Sequence, residues 1–392
     1  MVKRKHINLL LDFAPMSEFQ RQIALGATRF CHEHPGFRCR TASYEANMIE
    51  YSDVIDGVIA IIDRADPHHP STRLGSPVVN VSTIAFPVPF PTVAIDNNAM
   101  GRLAAEYLIV QGYRYFAYHM ESRVYFSKER GLGFGEALRE AGREFQSFDT
   151  GDHASASPRE LHALTLDWLR QLPKPLGLFT HNDQRAAALM DLCRDGGLKV
   201  PEEVGIIGVD NDPLLAELCR PTLTSVDPGA STVGFRAAEM LAQILSGHEP
   251  ENRPMFLPPK AVAVRESTQP RHLLDDRLAT AMRYIHEHWA EPFGVPELLE
   301  AVPASRRSLE RLFQTHLGRS PAEEIRRVQI NRVKWLLMEG RVSLSDIATT
   351  AGFSSFSNFA SAFRREVGMT ASAYRKRFRP AFRRGKESES DN

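Results

Sequence analysis

Five polar residues follow short apolar runs in the first two thirds of the chain, four of them at or just past the run's end. Asp12 follows Ile-Asn-Leu-Leu-Leu, Asn182 and Asp183 follow Leu-Gly-Leu-Phe-Thr-His, and Asp210 ends Val-Gly-Ile-Ile-Gly-Val. Arg130 opens a helix after the strand at Tyr115–His119 and a loop. Carboxylates and a guanidinium in such places suit a polyhydroxylated ligand, because they make paired, charge-strengthened hydrogen bonds to vicinal hydroxyls. The plain alternative, for each taken singly, is local: Asp183 caps the helix that begins there and Asp210 starts a turn. A second set lies in the last third. Ser305, Arg306, Arg307, Ser308, Glu310 and Arg311 leave the apolar stripe of one helix; Ser354, Ser355, Ser357, Asn358, Ser361, Arg364 and Arg365 leave that of another. Arginine pairs with guanine acceptors, asparagine with adenine and hydroxyls with bases or phosphates, so these faces suit the DNA major groove. Arg326, Arg327, Arg332, Lys334, Arg375, Lys376 and Arg377 are placed for phosphates.

These residues need elements to hold them. Apolar, β-rich runs recur at Ile7–Leu11, Gly57–Ile62, Val78–Val81, Val93–Ile95, Tyr115–Tyr118, Leu176–Thr180 and Val204–Val209. They do not alternate polar with apolar, the pattern of strands buried on both faces. Between them lie amphipathic stretches of helical period at Ser17–Glu33, Asn98–Gln111, Lys128–Ala141, Pro158–Gln171, Asp183–Asp195 and Ser231–Leu245. Strand–helix alternation predicts doubly wound parallel sheets, which bind ligands beyond the carboxyl ends of their strands. Phe13, Phe19, Tyr125 and Phe126 could stack on the apolar face of a pyranose, with core packing the equal alternative.

Beyond Arg265 the strand pattern stops. Helical periodicity covers Arg277–His288, Pro296–Leu299, Ser305–Leu317, Pro321–Met338, Ser345–Ala351, Phe356–Val367 and Ala371–Phe378. An internal repeat runs at an offset of fifty, pairing Leu309 with Phe359, Phe313 with Phe363, Leu317 with Val367, Gly318 with Gly368 and Ser320 with Thr370. Each copy buries Leu or Phe positions four apart and closes on a glycine suited to a left-handed C-cap. The spacing predicts a duplicated helix-turn-helix unit.

Length and charge agree with this division. A chain of 392 residues is too long for one ordinary core. Its 48 Lys+Arg balance 48 Asp+Glu, but unevenly. Residues 271–386 hold 21 basic and 12 acidic side chains; the 270 before them hold 27 and 33, and Glu387, Glu389 and Asp391 close the chain. A basic block on an acidic body predicts a polyanion partner for one part only. There is no run of eighteen apolar residues, and the start lacks a signal-peptide apolar stretch. Cys31, Cys39, Cys193 and Cys219 show no metal spacing, so reduced thiols, a cytoplasmic location and no membrane are expected. Gly131-Leu-Gly-Phe-Gly lacks dinucleotide-loop spacing and reads as backbone packing. His68-His69 and His286–His288 read as surface histidines. An enzyme reading would recruit Asp12, His181 and Asp183 as acid–base groups, but nothing pairs them with a nucleophile. No catalytic residue, metal or cofactor is therefore expected.

Two stretches carry a family likeness. Thr92-Val-Ala-Ile-Asp-Asn-Asn-Ala-Met-Gly-Arg-Leu-Ala-Ala-Glu-Tyr-Leu, Phe179-Thr-His-Asn-Asp-Gln-Arg, Ile206-Ile-Gly-Val-Asp-Asn-Asp and Val264-Arg-Glu-Ser-Thr come in the order of motifs in LacI/GalR-type sugar sensors, which residues 5–268 resemble. That resemblance implies an α/β two-lobed, periplasmic-binding-protein-like fold with a sugar in the cleft, clamped by Arg130, Asn182 and Asp210 with Asp12 from the first strand; Asp183, beside Asn182, joins the expected sugar site by its place past a strand. Residues 275–378 resemble the AraC/XylS activator domain, all-α with two helix-turn-helix motifs, above all from Val342-Ser-Leu-Ser-Asp-Ile-Ala-Thr-Thr-Ala-Gly-Phe to Tyr374-Arg. Ala371 departs from that family, which usually has proline there; Thr370 can still cap. The resemblances together imply a sensor at 1–268, a linker at 269–276, a DNA-binding domain at 277–379 and a charged tail at 380–392. They imply a sugar-responsive regulator, an activator of a pentose operon, with promoter DNA, D-xylose or a similar pentose, a second copy of the chain and RNA polymerase as partners. A regulator answering to another sugar, a transporter's solute-binding protein and a sugar-processing enzyme are the alternatives.

Overall fold

The computed structural model describes residues 6–13, 17–41, 55–64, 68, 70–250, 253–269, 276–288, 293–339 and 342–378. Most of the expected linker (270–275) and the expected tail (380–392) lie outside the described residues.

The first lobe is built on a parallel sheet ordered β2 (Phe37–Thr41), β1 (Ile7–Asp12), β3 (Gly57–Ala60), β4 (Val78–Asn80). A bridge from Asn80 to Thr92 continues it to β5 (Val93–Ile95), which pairs in parallel with β11 (Met255–Leu257). Helices α1 (Glu18–Glu33) and α7 (Ala230–Leu245) pack together on this lobe. Ser17 starts α1 with a reciprocal box, its hydroxyl accepting from the Gln20 amide while the Gln20 side chain accepts from the Ser17 amide.

The second lobe has the sheet order β12 (Ala261–Ala263), β10 (Thr224–Asp227), β9 (Val204–Val209), β8 (Leu176–Thr180), β6 (Tyr115–Met120), β7 (Phe145–Asp149), parallel except for β12. Against it lie α2 (Asn97–Val110), α3 (Tyr125–Glu140), α4 (Pro158–Gln171), α5 (Asp183–Asp195) and the short α6 (Pro213–Leu218). The chain crosses between lobes at β5–α2, β10–α7 and β11–β12. Gly101 on α2 and Gly133 on α3 set a close helix crossing. A Cβ on Gly101 would lie 1.9 Å from the Arg130 carbonyl oxygen, and one on Gly133 would lie 1.9 Å from that of Asn98. The glycines of the 131–135 stretch thus serve packing, as their spacing predicts.

The doubly wound sheets match the strand–helix alternation. Five short strands escape that reading: β2, β7, β10, β11 and β12. Edge position explains β2 and β7, whose polar residues face water along one side, whereas β11 (Met-Phe-Leu) and β12 (Ala-Val-Ala) are only three residues long. β10 is internal but reads Thr-Ser-Val-Asp, because its buried hydroxyls are hydrogen-bonded: Thr224 to the Arg265 carbonyl and Ser225 to Asp183.

The helical part runs α8 (Asp276–Glu287), α9 (Val295–Ala301), α10 (Arg306–Leu317), α11 (Pro321–Glu339), α12 (Leu344–Thr350), α13 (Phe356–Val367) and α14 (Ala371–Phe378). The offset of fifty holds in three dimensions. α10 and α13 each span 12 residues, begin on a serine N-cap (Ser305, Ser355) and end on a left-handed glycine (Gly318 φ 66°, Gly368 φ 75°). Leu309, Phe313, Phe359 and Phe363 are fully buried, each stabilising its unit by about 1.5–3 kcal/mol. Thr370 caps α14 by accepting from the Ala373 amide at 3.1 Å, so Ala371 costs the helix no cap.

Candidate functional site

Between the lobes lies a cavity of about 180 Å³. Lobe one contributes Glu18, Phe19, Ser82 and Thr83; the first crossover gives Asn97; lobe two gives Phe126, Arg130, Asn182, Asp183 and Asp210.

Arg130 is its buried centre. α3 starts at Tyr125, three residues before the expected Lys128, which puts Arg130 in the second turn and carries its side chain inward. Its Nε donates to Asn97 Oδ1 at 3.0 Å, a terminal nitrogen donates to the His181 carbonyl, and the guanidinium lies 4.7 Å from the Phe126 ring centre. Asn97 in turn donates to Thr83 Oγ1 at 2.9 Å, so the crossover and both lobes meet around one cation.

Asp210 faces that cation at the end of β9. Its backbone takes φ 114° and Asn211 takes φ 51°, a strained pair that aims the carboxylate into the cavity. Among the described residues no donor reaches this carboxylate. Burial pushes its pKa up to about 7 against the opposing pull of Arg130. Asp183 differs. Ser225 Oγ donates to one of its oxygens at 2.6 Å and the Asp212 amide to the other at 2.8 Å, and burial holds its pKa well above the usual carboxylate range. It braces the loop that carries Asp210 and Asp212. A Cβ on Gly208 would sit 2.1 Å from its Oδ1. The helix cap falls to Asn182, whose Oδ1 accepts from the Arg185 amide at 2.8 Å.

Four of the five sequence-derived residues therefore line one cavity. Asp12 is not among its lining residues, and its carboxylate accepts from Ser71 Oγ at 2.6 Å. Phe19 and Phe126 line the cavity, whereas Phe13 is buried in the lobe-one core and Tyr125 packs on Phe86. Sequence reasoning missed Glu18, Asn97 and Asp212. Asn97 had a signal, since it lies two residues past a strand at a crossover, but it stands where a helix start would also put it. Glu18 and Asp212 are joined across the lobes by Arg21, at 3.0 Å and 3.4 Å.

With its pKa pushed up to about 7 by burial, the Asp210 carboxyl is partly protonated near neutral pH, and its ionised form is the one that accepts two hydroxyl hydrogens. Ligand affinity should therefore fall about tenfold between pH 8 and pH 6, and Asp210→Asn should flatten that profile. Calorimetric titrations across this range check it; a pH-independent affinity in the unaltered protein removes Asp210 from the contact.

The helical part presents the second surface. Ser305, Arg306, Arg307 and Arg311 on α10, and Ser355, Ser357, Asn358, Ser361, Arg364 and Arg365 on α13, are all exposed. Ser305 and Ser355 also serve as caps, accepting from the Ser308 and Asn358 amides. Arg327, expected at a phosphate, faces the sensor instead. It donates to Glu106 of α2 at 2.6 Å and to Glu324, with Arg319 on the other side of that fully buried carboxylate. The reason is that α11 spends one face on the sensor, which its charge pattern does not reveal. Further along the same helix, Trp335 Nε1 donates to the Pro259 carbonyl at 2.8 Å, and its ring fills the space beside Gly229 at the start of α7. Arg236 of α7 donates to the Met338 carbonyl. α11 thus touches lobe two through Glu106 and lobe one through α7.

The comparisons with known proteins bear on both parts of the chain. Residues 105–268 match the periplasmic binding protein-like domain family, and residues 298–377 match a helix-turn-helix domain family. The chain is 29% identical over 289 residues to the xylose operon regulatory protein of Haemophilus influenzae, covering 73% of this chain and 75% of that one. It is 29% identical over 331 residues to the protein of that name from Escherichia coli K12, covering 82% and 83%. Among solved structures, a xylose-binding transcription activator superposes with a TM-score of 0.60 at 26% identity, covering 96% of this chain and 99% of the other. A cellobiose complex of a transcriptional regulator gives 0.54 at 25% identity, covering 67% and 84%. The fold and the two surfaces define a DNA-binding transcription regulator with its own small-molecule sensor. The chain joins a periplasmic binding protein-like domain to a helix-turn-helix domain and is similar over most of its length to the xylose operon regulatory proteins.

Proposed function

We propose that the chain is a pentose-responsive transcription activator whose first candidate effector is D-xylose. The observation that carries this reading is the cavity in which the Arg130 donors and the open Asp210 carboxylate meet, in one chain with two exposed readers. A sugar placed there accepts from Arg130 and the Asn182 amide, donates to Asp210, and lays its apolar face on Phe19 or Phe126. Because both lobes line the cavity, such a ligand favours their closed arrangement. The names of the relatives support the choice of xylose over hexoses. The reading includes a cytoplasmic dimer that places its readers in successive major grooves and contacts RNA polymerase.

A panel of D-xylose, L-arabinose, D-ribose, D-glucose and cellobiose tests this, measured first by thermal unfolding and then by DNA binding. The effector at a hundred times its Kd should stabilise the sensor by about 2.7 kcal/mol and change promoter affinity. If none of the pentoses shifts the melting curve, the pentose assignment fails. If one does so without changing DNA affinity, the regulatory assignment fails.

A further inference from the structure

α10 and α13 are copies in register, so positions fifty apart occupy the same place in their readers. At the first helical position the two copies carry opposite chemistry: Arg306 in one, Phe356 in the other. We propose that this position sets different base preferences for the two readers, Arg306 reading a guanine and Phe356 reading the C5-methyl group of a thymine. The proposal rests on the DNA-reading role of these helices and deepens it.

Phe356 leaves 48% of its surface in water, although the phenylalanines at the other reader positions, Phe359 and Phe363, are fully buried. It leans on Phe359 at 5.6 Å between ring centres, which fixes the ring at the mouth of the reader and does not cover it. Its neighbours on that face, Ser357, Asn358 and Ser361, are exposed and uncharged. In the major groove the one apolar group that a base edge offers is the thymine methyl, and an exposed ring at the helix start is placed to cover it. The other copy has Arg306, Arg307 and Arg311 in the same two turns, all exposed. Arg306 uses its Nε on Glu310 at 3.0 Å, which orients the guanidinium and leaves its terminal fork for the O6 and N7 acceptors of guanine. The operator half facing α10 should therefore be guanine-specified and the half facing α13 thymine-specified.

The test uses the full chain and a pool of randomised duplexes, from which bound sequences are enriched. Each thymine of an enriched duplex is then replaced singly by deoxyuridine, which removes only the methyl group. One such replacement should weaken binding of the unaltered protein about fourfold, the value of one buried methyl. Phe356→Ala should lose about as much on the thymine duplex and become indifferent to deoxyuridine at that site. Arg306→Ala should relax a guanine preference in the other half and keep the deoxyuridine sensitivity. The proposal is overturned if no deoxyuridine replacement affects the unaltered protein, or if Phe356→Ala keeps the sensitivity. Failure of the pool to enrich at all overturns the DNA-reading role itself.

Discussion

Arg130→Ala should weaken effector binding by about a hundredfold or more while leaving the effector-free protein able to bind DNA. The magnitude follows from burial. Arg130 is 5% exposed, and its charge is the cation that offsets Asp210 across the cavity. Truncating one partner of a buried, hydrogen-bonded charge costs about 2–5 kcal/mol in binding, much of it from the charge left behind. Two further losses add to it. Asn97 Oδ1 loses its donor, which loosens the crossover, and the sugar loses a paired donor. Asp210, freed from the opposing cation, should titrate higher still, so the variant cannot be rescued at pH 7 by the sugar's own hydroxyls. Calorimetry gives the affinity and a promoter gel shift gives the DNA binding. Effector affinity within threefold of the unaltered protein would remove Arg130 from the clamp. Arg130→Lys should recover little of it, because an ammonium lacks the fork that serves Asn97, the His181 carbonyl and a ligand at once.

The parts of this molecule that could be read from sequence are those in which one residue type answers to one local demand. Buried parallel strands such as Val204–Val209 declare themselves as apolar runs, and the helix repeat declares itself by Phe313 and Phe363 four residues beyond Leu309 and Phe359. Asp183 shows where such reading stops. Its place before a helix made capping the plain alternative, yet Asn182 takes the cap and Asp183 turns inward to Ser225 and the Asp212 amide. Both residues suit both jobs, and only the path of β10, a strand without an apolar signature, decides between them. Asp12 shows the same limit from the other side: a strand end places the backbone, but Ser71, in a 3-10 turn 59 residues further on, takes its carboxylate. Arg327 was beyond reach for a different reason. Sequence records its charge, whereas its partner Glu106 lies 221 residues away.

That partner is where the sensor and the readers can be separated experimentally. α11 is anchored to lobe two through Arg327–Glu106 and, about 12 Å along its axis at Trp335, to the side of lobe one. If a ligand closes the lobes as proposed, a helix fastened to both cannot keep both contacts unchanged, so closure must strain one end or move the helix. Arg327→Ala should uncouple the two events and destabilise the protein. Burial alone would raise the Glu324 carboxyl, but the guanidiniums of Arg327 and Arg319 overcome it and hold its pKa at about 2. A carboxyl held below its ordinary value stabilises the fold above the usual carboxylate range, and that contribution is lost as pH falls towards 2. Removing Arg327 at neutral pH leaves a fully buried carboxylate with one cation, costing about 3–5 kcal/mol, visible in thermal unfolding. Glu106→Gln isolates the contribution of α11, since it spares the Glu324 pair and breaks the ion pair that α11 makes with lobe two. In the unaltered protein the effector should change DNA affinity by the 5- to 150-fold typical of coupled sites, and in Glu106→Gln that ratio should fall towards one with each separate affinity near its original value. By reciprocity, DNA should also stop changing the affinity for the sugar. An unchanged ratio in both variants would show that closure reaches the readers by a route other than α11.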